Sequence, residues 1–148
     1  MKSIFDATIQ KEITDRINSL SSSNQALWGK MDLLQMVRHC ILCDDMYLGN
    51  IKIKRAFIGR LIGKPLLRKI LKDDAPFHKN SPTGPVLKTE KEDGNLESKK
   101  EEWLSSINKY NNFNNPNFVH PFFGPMTKDQ IGYLSYKHID HHLRQFGA

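Results

Sequence analysis

An all-α fold, a four-helix bundle with one long crossover loop, is predicted by three features of the sequence. Four segments carry apolar residues at helical spacing, nothing alternates with the period of a strand, and a Pro- and Gly-broken stretch separates the second segment from the third. The chain has 148 residues, suiting one domain over 1–148; folding at that size buries about 70% of the unfolded surface. Hydrophobic residues make up 39% and charged residues 26%, which excludes general disorder.

The first helix is expected from about Ser3 to Leu20, where Ile9, Ile13, Ile17 and Leu20 share a face. The second is expected from about Met31 to Leu48, entered through Trp28-Gly29 and closed by Gly49. Lys52 to Leu71 reads as one or two short helices broken at Gly63 and Pro65. Asp73 to Asn95, with Pro76, Pro82, Gly84, Pro85 and Gly94, reads as the crossover. The third helix is expected from Leu96 to Tyr110. The fourth is expected from Lys128 to Phe146, opened by a Thr127/Gln130 capping box and followed by Gly147.

No apolar run approaches the roughly 20 residues of a membrane span. The N-terminal MKSIFDATIQKEITDR contains acids and no continuous apolar stretch, so it does not read as a secretory signal. A cytoplasmic location is expected. The only cysteines, Cys40 and Cys43, lie within a helical pattern and are expected to be small buried hydrophobes rather than half of a zinc ribbon.

The strongest chemical signal is in YKHIDHHLRQFG. At about 100° per residue, Lys137, Asp140 and Arg144 share a polar face and Asp140 can pair with Arg144. His138 and His142 fall on a stripe pointing away from that face, one turn apart, and His141 falls at its edge. Two imidazoles at i and i+4 can reach one metal ion. In the second helix His39 sits amid Met36, Leu42, Cys43 and Met46, with Arg38 and Asp45 on the far side. A lone histidine on an apolar face is most often a hydrogen-bonded core residue. Three facing inward are better explained by a shared metal, because each ring then has one nitrogen satisfied. Gln145, one turn beyond His142, is a candidate to orient a ligand or water. Cys43 is a remoter fourth ligand, and His78 is expected not to ligate. His120 opens HPFFGPMT; a rigid turn is the plainer expectation there, and a wall over the pocket built from His120, Phe122 and Phe123 the functional one. Gln145 and His120 are thus the two candidate catalytic residues.

LWGKMDLLQMVRHC and HPFFGPMTKDQIGYLSYKHIDHHLRQFG together resemble the DinB-like (YfiT-like) superfamily of metalloenzymes, and within it a bacterial branch catalogued only as a domain of unknown function. The resemblance implies an up-down-down-up bundle. It also implies a divalent metal, nickel or zinc most often, on three histidines that fall on His39, His138 and His142, with Gln145 as an accompanying glutamine. Arg144 departs from it, standing where many relatives have glycine. The implied activity is an S-transferase that holds a low-molecular-weight thiol such as bacillithiol, mycothiol or glutathione for attack on an electrophilic small molecule. Homodimers are common among such proteins.

Three neutral imidazoles leave coordination positions open, the pattern of a catalytic site. Metal-dependent hydrolysis is therefore the nearest alternative reaction. Two alternatives are not enzymatic: a structural metal, and binding to an anionic surface through Lys52 to Lys72, which holds eight Lys or Arg and no acid. That stretch is expected to bury its apolar stripe and solvate its charges, so neither nucleic acid nor membrane is expected as a partner.

Overall fold

Asp6 opens the first helix. Its carboxylate accepts the backbone N–H groups of Thr8 and Ile9, so α1 runs Ala7–Ser19 rather than from Ser3. The computed structural model describes residues 1–80, 84, 87–91 and 93–148; Pro82 and Pro85 of the expected crossover lie outside them. The second helix, α2, spans Leu33–Leu48 and begins at an Asp32/Gln35 capping box. That D-x-x-Q signature is legible in the sequence and sets the start two residues after Met31. The third, α3, spans Phe57–Ile70 as one continuous helix with Gly63 and Pro65 inside it, correcting the expected break. A proline removes one donor from the ladder, and tertiary packing through the glycines holds the helix across that gap. Beyond it, α4 spans Leu96–Lys109 behind an Asn95 cap and tightens into a 3-10 turn at Tyr110–Asn112. Two residues on each side pair antiparallel, β1 Val119–His120 with β2 Gly124–Pro125. No strand was expected there. Finally α5 spans Lys128–Gln145 from the expected Thr127/Gln130 box.

The protein is all-α apart from that minimal hairpin, with five helices among the described residues: four in the segments expected to hold the longer helices, and α3 where one or two short ones were expected. Both α1 and α2 pack against α4 and α5. The core between them includes Ile13, Ile17, Met36, Trp103, Ile139 and Leu143, all fully buried. Each such side chain contributes about 1.5–3 kcal/mol by leaving water.

The polar face read on α5 is real, but of its three residues only Arg144 is exposed. Asp140 is bracketed by Arg16 and Arg144, each at 2.8 Å. Lys137 is buried and donates to the carbonyls of Ile70 and Asp73 at 2.7 and 2.8 Å, satisfying the frayed end of α3. Lys100 does the same for α1 through Leu20 O at 2.7 Å.

In α3 the expected burial of the apolar stripe is reversed. The helix turns Gly59, Gly63 and Leu67 inward. A Cβ at either glycine would collide with the carbonyl oxygen of Phe122, so the backbone of α3 lies directly on the hairpin loop. Phe57, Ile58, Leu61, Ile62 and Leu66 consequently face solvent. Among the described residues no helix is long and apolar enough to cross a membrane.

Candidate metal centre

Positions 138 and 142 are one turn apart on α5, and position 39 is on the facing side of α2, so two rigid helices aim three rings at one point. A ring nitrogen from each of His39, His138 and His142 lies within 4.8 Å of the other two. His39 Nε2 and His138 Nε2 are 2.9 Å apart, and ring centroids are separated by 4.6–4.9 Å. His39 and His142 are buried, and His138 is intermediate in exposure.

The outer nitrogens fix the tautomers. His39 Nδ1 is 2.7 Å from the Leu87 carbonyl, which can only accept, so Nδ1 carries the proton and Nε2 a lone pair. Gln145 Nε2 donates to the Trp28 carbonyl at 2.7 Å, which leaves Gln145 Oε1 to accept from His142 Nδ1 at 2.9 Å. His142 therefore also directs a bare Nε2 inward. Between His39 and His138, only His138 Nε2 is left to donate. Exchanging that one proton for a cation turns the contact into coordination.

All three rings are held neutral. Burial pushes His142 down to about 3, helped by the neighbouring His39 ring. His138 lies well below the ordinary imidazole value through burial and then the His142 and His39 rings. His39 is also lowered by burial, partly offset by its bond to Leu87. Neutral imidazole is the ligating form, so the donor set fits a divalent ion.

Each orienting group is itself fixed. Leu87 is presented to His39 because Gln35 and Thr89 exchange side-chain-to-backbone hydrogen bonds at 3.1 and 3.0 Å, clamping the crossover to α2. Trp28 is held by Leu27 N–H donating to Gln145 O at 2.8 Å. Gly29, at φ 85°, passes so close that a Cβ would come within 2.6 Å of Gln145 Nε2. The Trp28-Gly29 pair thus fixes the glutamine that orients His142, beyond serving as the entry to α2.

Of the other sequence candidates, Gln145 is where the wheel put it and binds a ligand ring. His120 is buried in the hairpin, against Tyr47, Phe118 and Phe123. Its Nδ1 accepts from the backbone N–H groups of Phe122 and Phe123 at 3.1 and 3.2 Å. It is a turn-former, as the plainer expectation had it, and burial lowers its pKa to about 4. The neutral ring consequently carries its proton on Nε2. Cys43 Sγ is 3.7 and 3.9 Å from His39 Nε2 and His138 Nε2, but burial holds the thiol protonated and it lies outside the three-histidine cluster. His141 packs on Trp28 and Phe77, and His78 is exposed. The carbonyls of Leu87 and Trp28 were not found by sequence reasoning, because a backbone acceptor leaves no residue signature.

Residues 4–148 match the sequence profile of a family described as "Protein of unknown function (DUF1569)". No curated protein and no solved structure matches. The match is to that family and not to the DinB-like or YfiT-like group, which corrects the resemblance drawn from LWGKMDLLQMVRHC and the HPFFGPMT-to-HHLRQFG segment. Short segments around an H-x-x-x-H pair are constrained by helix geometry in any three-histidine site, so they carry less family information than a match over nearly the whole chain. The thiol-transfer activity rested on that resemblance and loses its support.

Proposed function

We infer that this chain, which belongs to the DUF1569 family of unknown function, holds a divalent transition-metal ion on His39, His138 and His142 as an open, catalytic centre. The observation that carries the reading is the convergence of three neutral rings, two with Nδ1 already committed as donor. All-nitrogen donors suit zinc or nickel over magnesium or calcium. The four helices that pack pairwise around the core serve as the bundle that supports it.

When bound, the ion supplies Lewis acidity that brings the pKa of a water ligand towards neutrality. A metal-dependent hydrolase therefore requires nothing beyond the residues described. The chain's own contribution is orientation. Leu87 and Gln145 hold two rings, His138 is the least buried of the three, and His120 keeps a neutral ring with its proton on Nε2 in the hairpin. A purely structural zinc site would more often close with a fourth protein ligand; here the nearest extra donor, Cys43, lies outside the three-histidine group.

Elemental analysis of untagged protein tests the site. Wild type is expected to carry a stoichiometric ion that His138→Ala lacks; equal metal in both, or none in either, refutes it. Cobalt substitution tests the open position. Its visible spectrum should change on adding azide, whereas an unchanged spectrum would mean a closed, structural centre.

Gln145→Leu removes the acceptor on His142 Nδ1 while leaving all three ligands. Metal affinity is expected to fall about 10–100-fold, read by competition with a chromophoric chelator. Unchanged affinity would show that Gln145 does not support the site.

A further inference from the structure

The stretch from Lys52 to Lys72 combines eight Lys or Arg and no acid with the largest run of exposed apolar side chains among the described residues. Phe57 is 77% exposed, Leu61 66%, Ile58 52% and Ile62 48%. At about 100° per residue these four and Leu66 cover half of α3, opposite the seam of Gly59, Gly63 and Leu67. Arg60, Lys64 and Arg68 follow one another up the flank between the seam and Phe57. The helix cannot roll to bury this half, because the glycine seam is the only face on which its backbone can approach Phe122 O. The exposure is therefore built in by packing.

We propose that this face of α3 docks in the interface of an anionic phospholipid bilayer, with Phe57, Ile58, Leu61 and Ile62 among the acyl chains and Arg60, Lys64 and Arg68 at the headgroups. Charge complementarity selects the occupant. A second copy placed face to face would bring another Arg60, Lys64 and Arg68 against these, with no acid in the stretch to pair them. Nucleic acid would neutralise the cations, but its grooves offer no apolar sink for four large hydrophobic side chains. A bilayer surface supplies both anionic headgroups and hydrocarbon, which a basic amphipathic helix lying in the plane of the interface requires. The inference is independent of the metal reading, since none of these residues touches the three histidines.

The test is co-sedimentation of the full chain with vesicles of mixed phosphatidylcholine and phosphatidylglycerol, against phosphatidylcholine alone. Binding is expected only to the anionic vesicles and should weaken steeply with salt. Arg60→Gln and Lys64→Gln should each lower affinity about fivefold, and Phe57→Ser/Leu61→Ser by at least about tenfold. Circular dichroism should be unchanged, because these side chains face solvent. Phe57→Trp emission should shift to the blue on binding, reporting insertion beyond surface attraction. No binding to anionic vesicles at low salt would overturn the proposal. So would self-association of wild type that Phe57→Ser/Leu61→Ser abolishes without any lipid binding. Duplex DNA binding that depends on Arg60 and Lys64 but not on Phe57 and Leu61, in a chain that ignores vesicles, would assign the face to nucleic acid instead.

Discussion

Zinc affinity of this chain is expected to fall far less between about pH 7 and about pH 5 than that of an ordinary histidine site. Three imidazoles with the usual pKa of about 6.5 would each lose roughly 25-fold to protons over that range, on the order of 10⁴ together. Here His142 lies at about 3, His138 is well below the usual value and His39 is lowered, in each case chiefly by burial. Competing protons are thus held off at His142 and His138 and disfavoured at His39. Fluorescent-chelator competition across that range reads the effect directly, and a loss approaching four decades would show that the rings titrate normally and are not held as described. The metal-free protein shows the same shifts with the opposite consequence. A base whose pKa is lowered by folding contributes stability that is intact above about 6.5 and lost as pH falls towards its folded value. For His142 the window runs from about 6.5 down to about 3. Because affinity changes little over that range, zinc should add about the same stabilisation at about pH 5 as at neutral pH, on a metal-free baseline that has fallen.

Much of this site was legible because it lies on helices. The i, i+4 spacing fixes His138 and His142 on one stripe of α5 whatever packs against it, and the apolar company of His39 already turned that ring inward. Gln145 follows from the same wheel. What could not be read was whatever depended on which face meets a neighbour. Lys137 and Asp140 carry the periodicity of a solvent face, yet Lys137 caps the end of α3 and Asp140 receives Arg16 from α1. The α3 face misled for a related reason. An apolar stripe is ordinarily the buried one, but Gly59 and Gly63 allow backbone contact that no side chain could match, and that contact fixed the opposite face inward. The hairpin at Val119–Pro125 is too short to show alternation, so only the His120 turn hinted at it. Family membership illustrates the same division. The ligand spacing is a property of helices, and only the match over residues 4–148 distinguishes one lineage from another.

Asp44→Ala is expected to destabilise the protein by about 1–3 kcal/mol, since it strands the buried Trp103 Nε1 donor and leaves the Tyr110 hydroxyl with Ser135 alone. Asp44 is fully enclosed one position beyond Cys43, where its Oδ2 accepts from Trp103 Nε1 at 3.0 Å and its Oδ1 from the Tyr110 hydroxyl at 2.7 Å. These bonds tie α2 to α4 and, through the 3.0 Å contact of Tyr110 with Ser135, to α5. A loss of that size is a large fraction of the stability of a small domain, so denaturant melts should separate the variant from wild type; a loss below about 1 kcal/mol would mean that water or repacking satisfies the Trp103 donor. Asp44→Asn keeps an acceptor for Trp103, and its amide can donate to Tyr110 while the tyrosine hydroxyl turns its proton to Ser135. Its cost at acid pH should be small. The comparison also isolates a titration. Burial raises Asp44 to about 7 against the two hydrogen bonds that pull it down. An acid raised by folding contributes stability that is intact below its unfolded value of about 3.9 and lost as pH rises through the folded one. The asparagine variant lacks that loss, so its stability relative to wild type should climb between about pH 4 and pH 7 and level off above. A difference that stays constant across the range would place Asp44 at an ordinary carboxylate pKa, ionised within the core and sustained by its two donors alone.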